Sequence, residues 1–188
     1  MNTNTSVSPE LDRRFRDAAV AEGLVDVAYD VLDSPVGPLL VAASDAGVCR
    51  ISYFVDGAPE WLAEDFGVRV LRAAQPVDDV RRQLDEYFEH RRTEFDLPLD
   101  LRAAAPFHRE VLGELARVPY GETVTYGSLA ARVGRPRAAR AIGLAMNRNP
   151  IPIVLPCHRV VGSTGSLTGY AGGLDKKELL LRLEGAIL

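Results

Sequence analysis

One segment limits the folding of this chain more than any other: Asn149-Pro-Ile-Pro-Ile-Val-Leu-Pro-Cys-His-Arg-Val-Val-Gly162. Pro150, Pro152 and Pro156 fall within seven residues, which forbids a helix and restricts each residue that precedes a proline. Ile153, Val154 and Leu155 form an apolar run, so the segment reads as a buried strand that ends on Cys157 with a fixed backbone. A reactive group is positioned in this way. A free thiol is mostly protonated at neutral pH, so a nucleophilic Cys157 needs a base or a positive field, and His158 and Arg159 are adjacent.

Adjacency poses a geometric problem. On a strand Cys157 and His158 point to opposite faces, so either the chain bends or a water relays the proton between them. Glu184 is a candidate to orient the histidine, because it lies four residues after Leu180 on the last expected helix, hence on an apolar face. Taken singly, the three read as a buried thiol, a core histidine and a solvated terminal charge. Their combination at the end of a rigid apolar segment points to cysteine chemistry.

Charge is divided along the chain. The total is −4, yet residues 1–100 carry 10 Lys+Arg against 20 Asp+Glu, and residues 101–188 carry 12 against 6. Between Thr123 and Leu174 there is no Asp or Glu, while Arg132, Arg135, Arg137, Arg140, Arg148 and Arg159 all fall there. Such a stretch is either a footprint for an anionic partner or an ordinary solvated surface balanced by the acidic half. Two cysteines, Cys49 and Cys157, cannot make a disulfide framework, and with three histidines no structural zinc site is expected. No apolar run is long enough to span a bilayer, and residues 1–9 read as a polar tail with no secretory pattern. A cytoplasmic location is expected.

Alternation and turn residues predict strands over 24–32, 39–43 and 48–54, and helices over 10–22, 59–66, 77–90, 106–118, 128–133, 137–146 and 175–183. In 77–90 the stripe is Val80, Leu84, Tyr87 and Phe88; Cys49 reads as a core thiol. The chain therefore divides into 1–100 and 101–188. The helices 128–133 and 137–146, joined by Gly134-Arg135-Pro136, have helix-turn-helix spacing. Its stretch AARAIGLAM carries Ala138, Ala139, Ala141, Gly143 and Ala145, with Arg140 as the one long polar side chain. Small residues there permit close approach of either another helix or a nucleic acid groove.

The motifs PCHRVVG, NPIPIVL and TGYAGGLDKKELLLRLEG, with PYGETVTYGSLAARVGRPRAARAIGLAMNRNP before them, resemble the O6-alkylguanine-DNA alkyltransferases, also called methylated-DNA–protein-cysteine methyltransferases. The likeness is close over 107–185; earlier residues match only in outline. It implies an α+β fold, with a β-rich, ribonuclease-H-like N-terminal half and a mostly helical C-terminal domain bearing a winged-helix-like helix-turn-helix element. It implies direct-reversal DNA repair, in which Cys157 takes the alkyl group irreversibly from O6-alkylguanine, with O4-alkylthymine as a secondary substrate. His158 is the base through a water, Glu184 orients it, Tyr126 protonates the departing purine, and Asn149 braces the turn. Arg140 fills the gap left by a flipped nucleotide, with Ala138, Ala139, Ala141 and Gly143 along the minor groove of double-stranded DNA. Met146, Val160, Tyr170, Ala171 and Gly172 line the pocket. Where some relatives have a serine in this loop, Ala171 stands here, which leaves backbone N–H groups and Tyr126 to recognise the O6 region. No cofactor is implied, and His90, His108 and Cys49 cannot replace the zinc site of some relatives. A monomer is expected. A non-catalytic DNA-binding relative, which would lack the cysteine, and a Cys-His hydrolase are the alternatives.

Overall fold

The computed structural model describes residues 8–188. Its first element, α1 (Pro9–Ala21), is capped by the Ser8 hydroxyl, which accepts from Leu11 N, and Pro9 takes the first helical position. Ser8 and Pro9 thus belong to a helix end, contrary to the tail expected over 1–9; residues 1–7 lie outside the described residues.

Four strands, β1 (Val27–Leu32), β2 (Leu39–Ser44), β3 (Gly47–Ser52) and β4 (Val70–Arg72), form one sheet in the order β3-β2-β1-β4. β1–β2 and β2–β3 are antiparallel hairpins, and β4 joins β1 in parallel. β4 was not expected from the sequence: it is a three-residue edge strand with no buried position, too short to show alternation. Residues of β2 alternate between two apolar clusters. Leu40 and Ala42 meet Val27, Cys49 and the helix α2 (Ala58–Phe66) on one face. On the other, Leu39, Val41 and Ala43 enter the main core.

That main core joins the two halves. The helix α3 (Asp78–Phe88) contributes Val80, Leu84 and Tyr87, with Phe88 only half-buried, and they share it with Val111, Leu112 and Leu115 of α4 (Pro106–Leu115). The extended connection also binds the halves: Leu99 bridges Val48, and Gly47 packs so closely on Pro98 that a Cβ there would strike its backbone. Beyond it lie α4, β5 (Val124–Thr125), α5 (Tyr126–Arg132), α6 (Ala139–Asn147), β6 (Val160–Val161) and α7 (Leu174–Leu183). β5 and β6 form a short parallel pair. Thr125 caps α5, its Oγ1 accepting from Ser128 N at 3.0 Å, which starts that helix at Tyr126, two residues earlier than the periodicity predicts. The whole is α+β, a sheet-bearing N-terminal half followed by a helical C-terminal half. Among the described residues no helix is long and apolar enough to cross a membrane.

The strand expected over Ile153–Leu155 does not form. Residues 151–155 make a turn: Leu155 N donates to Ile151 O at 2.9 Å, Ile153 has φ +75°, and Val154 is half-buried. Prolines at 150, 152 and 156 remove three N–H donors, so the segment cannot fill a ladder and closes on itself. Cys157–Arg159 is a single 3-10 turn.

Candidate active site

Asn149, just beyond α6, fixes the turn from both sides. Its Oδ1 accepts from Ile151 N at 3.1 Å and its Nδ2 donates to Leu155 O at 2.7 Å. From the other half, Ile51 N of β3 donates to Pro150 O at 2.9 Å. Cys157 N then donates to Leu155 O, and Arg159 N to Pro156 O. In a 3-10 turn successive side chains stand about 120° apart, so Cys157, His158 and Arg159 leave the backbone in three directions. The chain bends, as one of the two sequence alternatives required.

His158 and Arg159 both reach Glu184, which caps the C-terminal end of α7 and is 5% exposed. Its Oε1 lies 2.9 Å from His158 Nε2 and accepts from Arg159 Nη2 at 2.8 Å and from the Tyr87 hydroxyl at 2.7 Å. Its Oε2 accepts from Arg159 Nε at 2.8 Å and from Gly121 N at 3.3 Å. Burial alone would raise the Glu184 pKa; the hydrogen bonds from His158 and Arg159, with the Arg159 charge, outweigh it and hold the carboxyl at about 2. A carboxylate can only accept, so the shared hydrogen bond places the ring proton of His158 on Nε2. Burial keeps that histidine neutral, and its Nδ1, also buried, meets no hydrogen-bond partner in the protein. Arg159, read from the sequence as part of an anion footprint, is a buried structural cation that also donates to Val118 O at 2.5 Å.

Cys157 is 3% exposed, and burial pushes its thiol up to about 11, against the opposing pull of Asn149, Lys177 and nearby backbone amides. Lys177 is wholly buried, and its Nζ donates to Val160 O at 2.6 Å and Thr168 O at 2.7 Å. Burial brings the Lys177 pKa down to about 8, with the Cys157 charge acting in the opposite sense. Tyr126 holds the same loop, donating from its hydroxyl to Thr168 O at 3.1 Å. Met146 is buried at the end of α6 and Val160 is fully buried in β6; Tyr170 and Gly172 are half-buried and Ala171 is exposed in the loop between β6 and α7. Among the described residues no three His, Cys, Asp or Glu side chains come together at metal-binding distance.

Helices α5 and α6 pack on each other, with Gly134 at φ +70° in the turn between them. Ile142, Ala145 and Met146 turn inward. Arg140 and Ala141 are exposed, Ala138, Ala139 and Gly143 are half-buried, and no side chain caps the N-terminus of α6. Arg132, Arg135, Arg137 and Arg148 are also exposed, with Arg135 3.5 Å from Glu110 and over the Phe107 ring. The basic face is therefore narrower than six arginines suggest.

Residues 27–101 match the 6-O-methylguanine DNA methyltransferase ribonuclease-like domain, and residues 106–186 match the DNA binding domain of the same family. A methylated-DNA–protein-cysteine methyltransferase of Methanosarcina barkeri is 42% identical over 83% of this chain and 96% of its own length. One from Mycolicibacterium paratuberculosis is 45% identical over 84% and 92%. The chain belongs to the methylated-DNA–protein-cysteine methyltransferase family. Its fold is similar to that of Mycobacterium tuberculosis OGT crystallised in complex with DNA, at 39% identity and a TM-score of 0.76, covering 85% of this chain and 93% of that one.

Three residues that the structure brings around Cys157, Glu184 and Tyr170 were not singled out in the sequence: Lys177, Tyr87 and Tyr53. Lys177 had a signal, since it shares helical spacing with Leu180, Leu181 and Glu184. Tyr87 was visible only as a member of an apolar stripe, and Arg159, singled out beside Cys157, gave no sign of its pairing with Glu184. Tyr53, whose hydroxyl lies 2.6 Å from that of Tyr170, had none. Cavities of about 420 Å³ between the halves and about 410 Å³ beside Tyr120 do not include Cys157, which is covered where it stands.

Proposed function

We propose that this chain repairs alkylated DNA by direct reversal, moving the alkyl group of O6-alkylguanine onto Cys157. The observation that carries the reading is the set Cys157, His158 and Glu184: a buried thiol beside a neutral histidine whose Nε2 is tied to a charged carboxylate and whose Nδ1 is unpaired. A water between Nδ1 and Sγ would satisfy that nitrogen and take the thiol proton, since a buried acceptor without a partner is costly. The sulfur then attacks the alkyl carbon; the S–C bond forms as the C–O6 bond breaks, and the electron pair leaves with guanine. Tyr126 supplies a proton to the purine so that it departs neutral, and the proton lost from the thiol restores the balance through solvent. The thioether product is a poor leaving group, so one molecule repairs one lesion.

Residues 101–188 carry this chemistry and the DNA contact, while residues 1–100 frame it. Arg140, with the small residues Ala138, Ala139, Ala141 and Gly143 around it and the uncapped N-terminus of α6, suits a groove of double-stranded DNA beside phosphates. Asn149 holds the turn, and Met146, Val160, Tyr170, Ala171 and Gly172 border the pocket, with O4-alkylthymine a second substrate. One copy of the chain holds every residue of this site, in keeping with a monomer.

The test is an intact-mass measurement after incubation with an oligonucleotide that contains O6-methylguanine. A gain of one methyl group, mapped to Cys157 and saturating at one equivalent, is expected. An unchanged mass with bound oligonucleotide would mean a non-catalytic binder, and repeated turnover of an ester or peptide a hydrolase.

A further inference from the structure

The loop between β6 and α7 is held from two sides. On the C-terminal side Tyr126 and Lys177 bind the carbonyl of Thr168. On the other stands Tyr53, which follows β3 and belongs to the N-terminal half. Its hydroxyl shares a 2.6 Å hydrogen bond with Tyr170, and the two rings meet edge-on at 5.8 Å between centroids. The Tyr53 ring also lies against the backbone of Gly172: a Cβ added there would come within 2.6 Å of Tyr53 Cε2 and 2.7 Å of Cδ2. Lys176 Nζ lies over the same ring, 5.8 Å from its centre. Tyr53 and Tyr170 both pack against the apolar cluster that contains Cys157.

We propose that Tyr53 is a specificity-determining residue that gauges the size of the transferable alkyl group, by holding Tyr170 and Gly172 against the space in front of Cys157. Cys157 is 3% exposed, so an incoming alkyl group must find room beneath this loop. A methyl group needs little. A benzyl group needs the loop to move outward, which breaks the Tyr53–Tyr170 bond and lifts Gly172 from the ring. The N-terminal half thus limits the substrate range of a reaction carried out by the other half. Tyr53 is a positioning residue, acting through Tyr170 and Gly172.

This inference rests on the alkyl-transfer reading, and the experiment separates the two. Single-turnover rates are measured for the full chain, Y53F and Y53A with O6-methylguanine and O6-benzylguanine in the same oligonucleotide, alongside thermal unfolding. The benzyl-to-methyl rate ratio is expected to rise about tenfold in Y53A and about threefold in Y53F, which keeps the ring but loses the hydroxyl bond. Y170F is expected to match Y53F, and the double variant Y53F/Y170F to add nothing further, because both remove one bond. A merely structural role would lower both rates together and leave the ratio within about twofold, and that result overturns the inference. If Y53A does not fold, Y53F and Y170F decide alone, an unchanged ratio in both counting against it. A parent chain that gains no alkyl group from either substrate overturns the functional reading, and the inference falls with it.

Discussion

Glu184 and Arg159 form a two-point ion pair, Nε to Oε2 and Nη2 to Oε1, both at 2.8 Å, with the carboxylate side chain wholly buried and the guanidinium 7% exposed. The His158 hydrogen bond and this pair together keep Glu184 charged. The histidine therefore always faces an acceptor at Nε2, and its Nδ1 remains the free lone pair. A pair so deeply buried adds little net stability over an apolar replacement, but removing one partner strands the other charge.

Glu184→Gln tests this directly. The amide cannot neutralise Arg159, and its NH2 group competes with the acceptor role towards His158. Stability is expected to fall by about 3–5 kcal/mol in urea unfolding. Single-turnover transfer should fall by about a hundredfold or more, because the base loses its fixed tautomer. A variant as stable and as fast as the parent would remove Glu184 from both roles.

Acid unfolding carries the same signature. Glu184 sits at about 2 in the folded chain against an ordinary 4.5, so the folded state releases this proton more readily than the unfolded one. Its contribution is fully present above the ordinary value and is lost as pH falls from there towards about 2. Urea midpoints from pH 6 downwards should therefore drop more steeply in the parent than in Glu184→Gln. Parallel curves would contradict the lowered pKa.

The parts legible in the sequence are those whose cause is local. Pro-Cys-His-Arg announces its chemistry in adjacent residues, and α3 shows Val80, Leu84 and Tyr87 at helical spacing. Glu184 was also legible, through its spacing from Leu180 on an apolar face. What failed depends on distant contacts or on competition between local rules. Arg159 reads as a surface cation until Glu184, 25 residues on, closes on it. Tyr53 and Tyr170 are 117 residues apart and share no motif. The turn at 151–155 was read as a strand because its residues are apolar, yet the missing proline donors decided the outcome.

Cys157 reactivity should follow its burial. With the thiol pushed up to about 11, alkylation by iodoacetamide in the native chain should be slow at pH 7 and rise with pH well beyond 9. In urea it should return to the rate of an ordinary thiol, which mass spectrometry of the Cys157 peptide would follow. Fast native labelling at neutral pH would mean a resting thiolate.

Lys177→Met separates charge from packing. The variant loses a buried cation that favours the Cys157 thiolate and two hydrogen bonds that tether Val160 and Thr168. Transfer is expected to slow about tenfold or more, while thermal stability holds or improves, since an apolar side chain needs no desolvation of an ammonium. A loss of stability without a change in rate would make Lys177 a packing residue only.

Arg140→Ala addresses the DNA face. Arg140 is exposed on α6 and makes no hydrogen bond or ion pair within the described residues, so truncating it should leave folding intact within about 0.5 kcal/mol. If it fills the gap left by an extruded nucleotide, repair of duplex should slow about tenfold or more, while reaction with the free alkylated base stays near that of the parent. Replacing Arg132 or Arg137 instead should weaken duplex binding and reduce its salt dependence by about one phosphate contact, without separating the two substrates. Equal slowing of duplex and free base by Arg140→Ala would assign the arginine to the fold of α6 and deny it a part in extrusion.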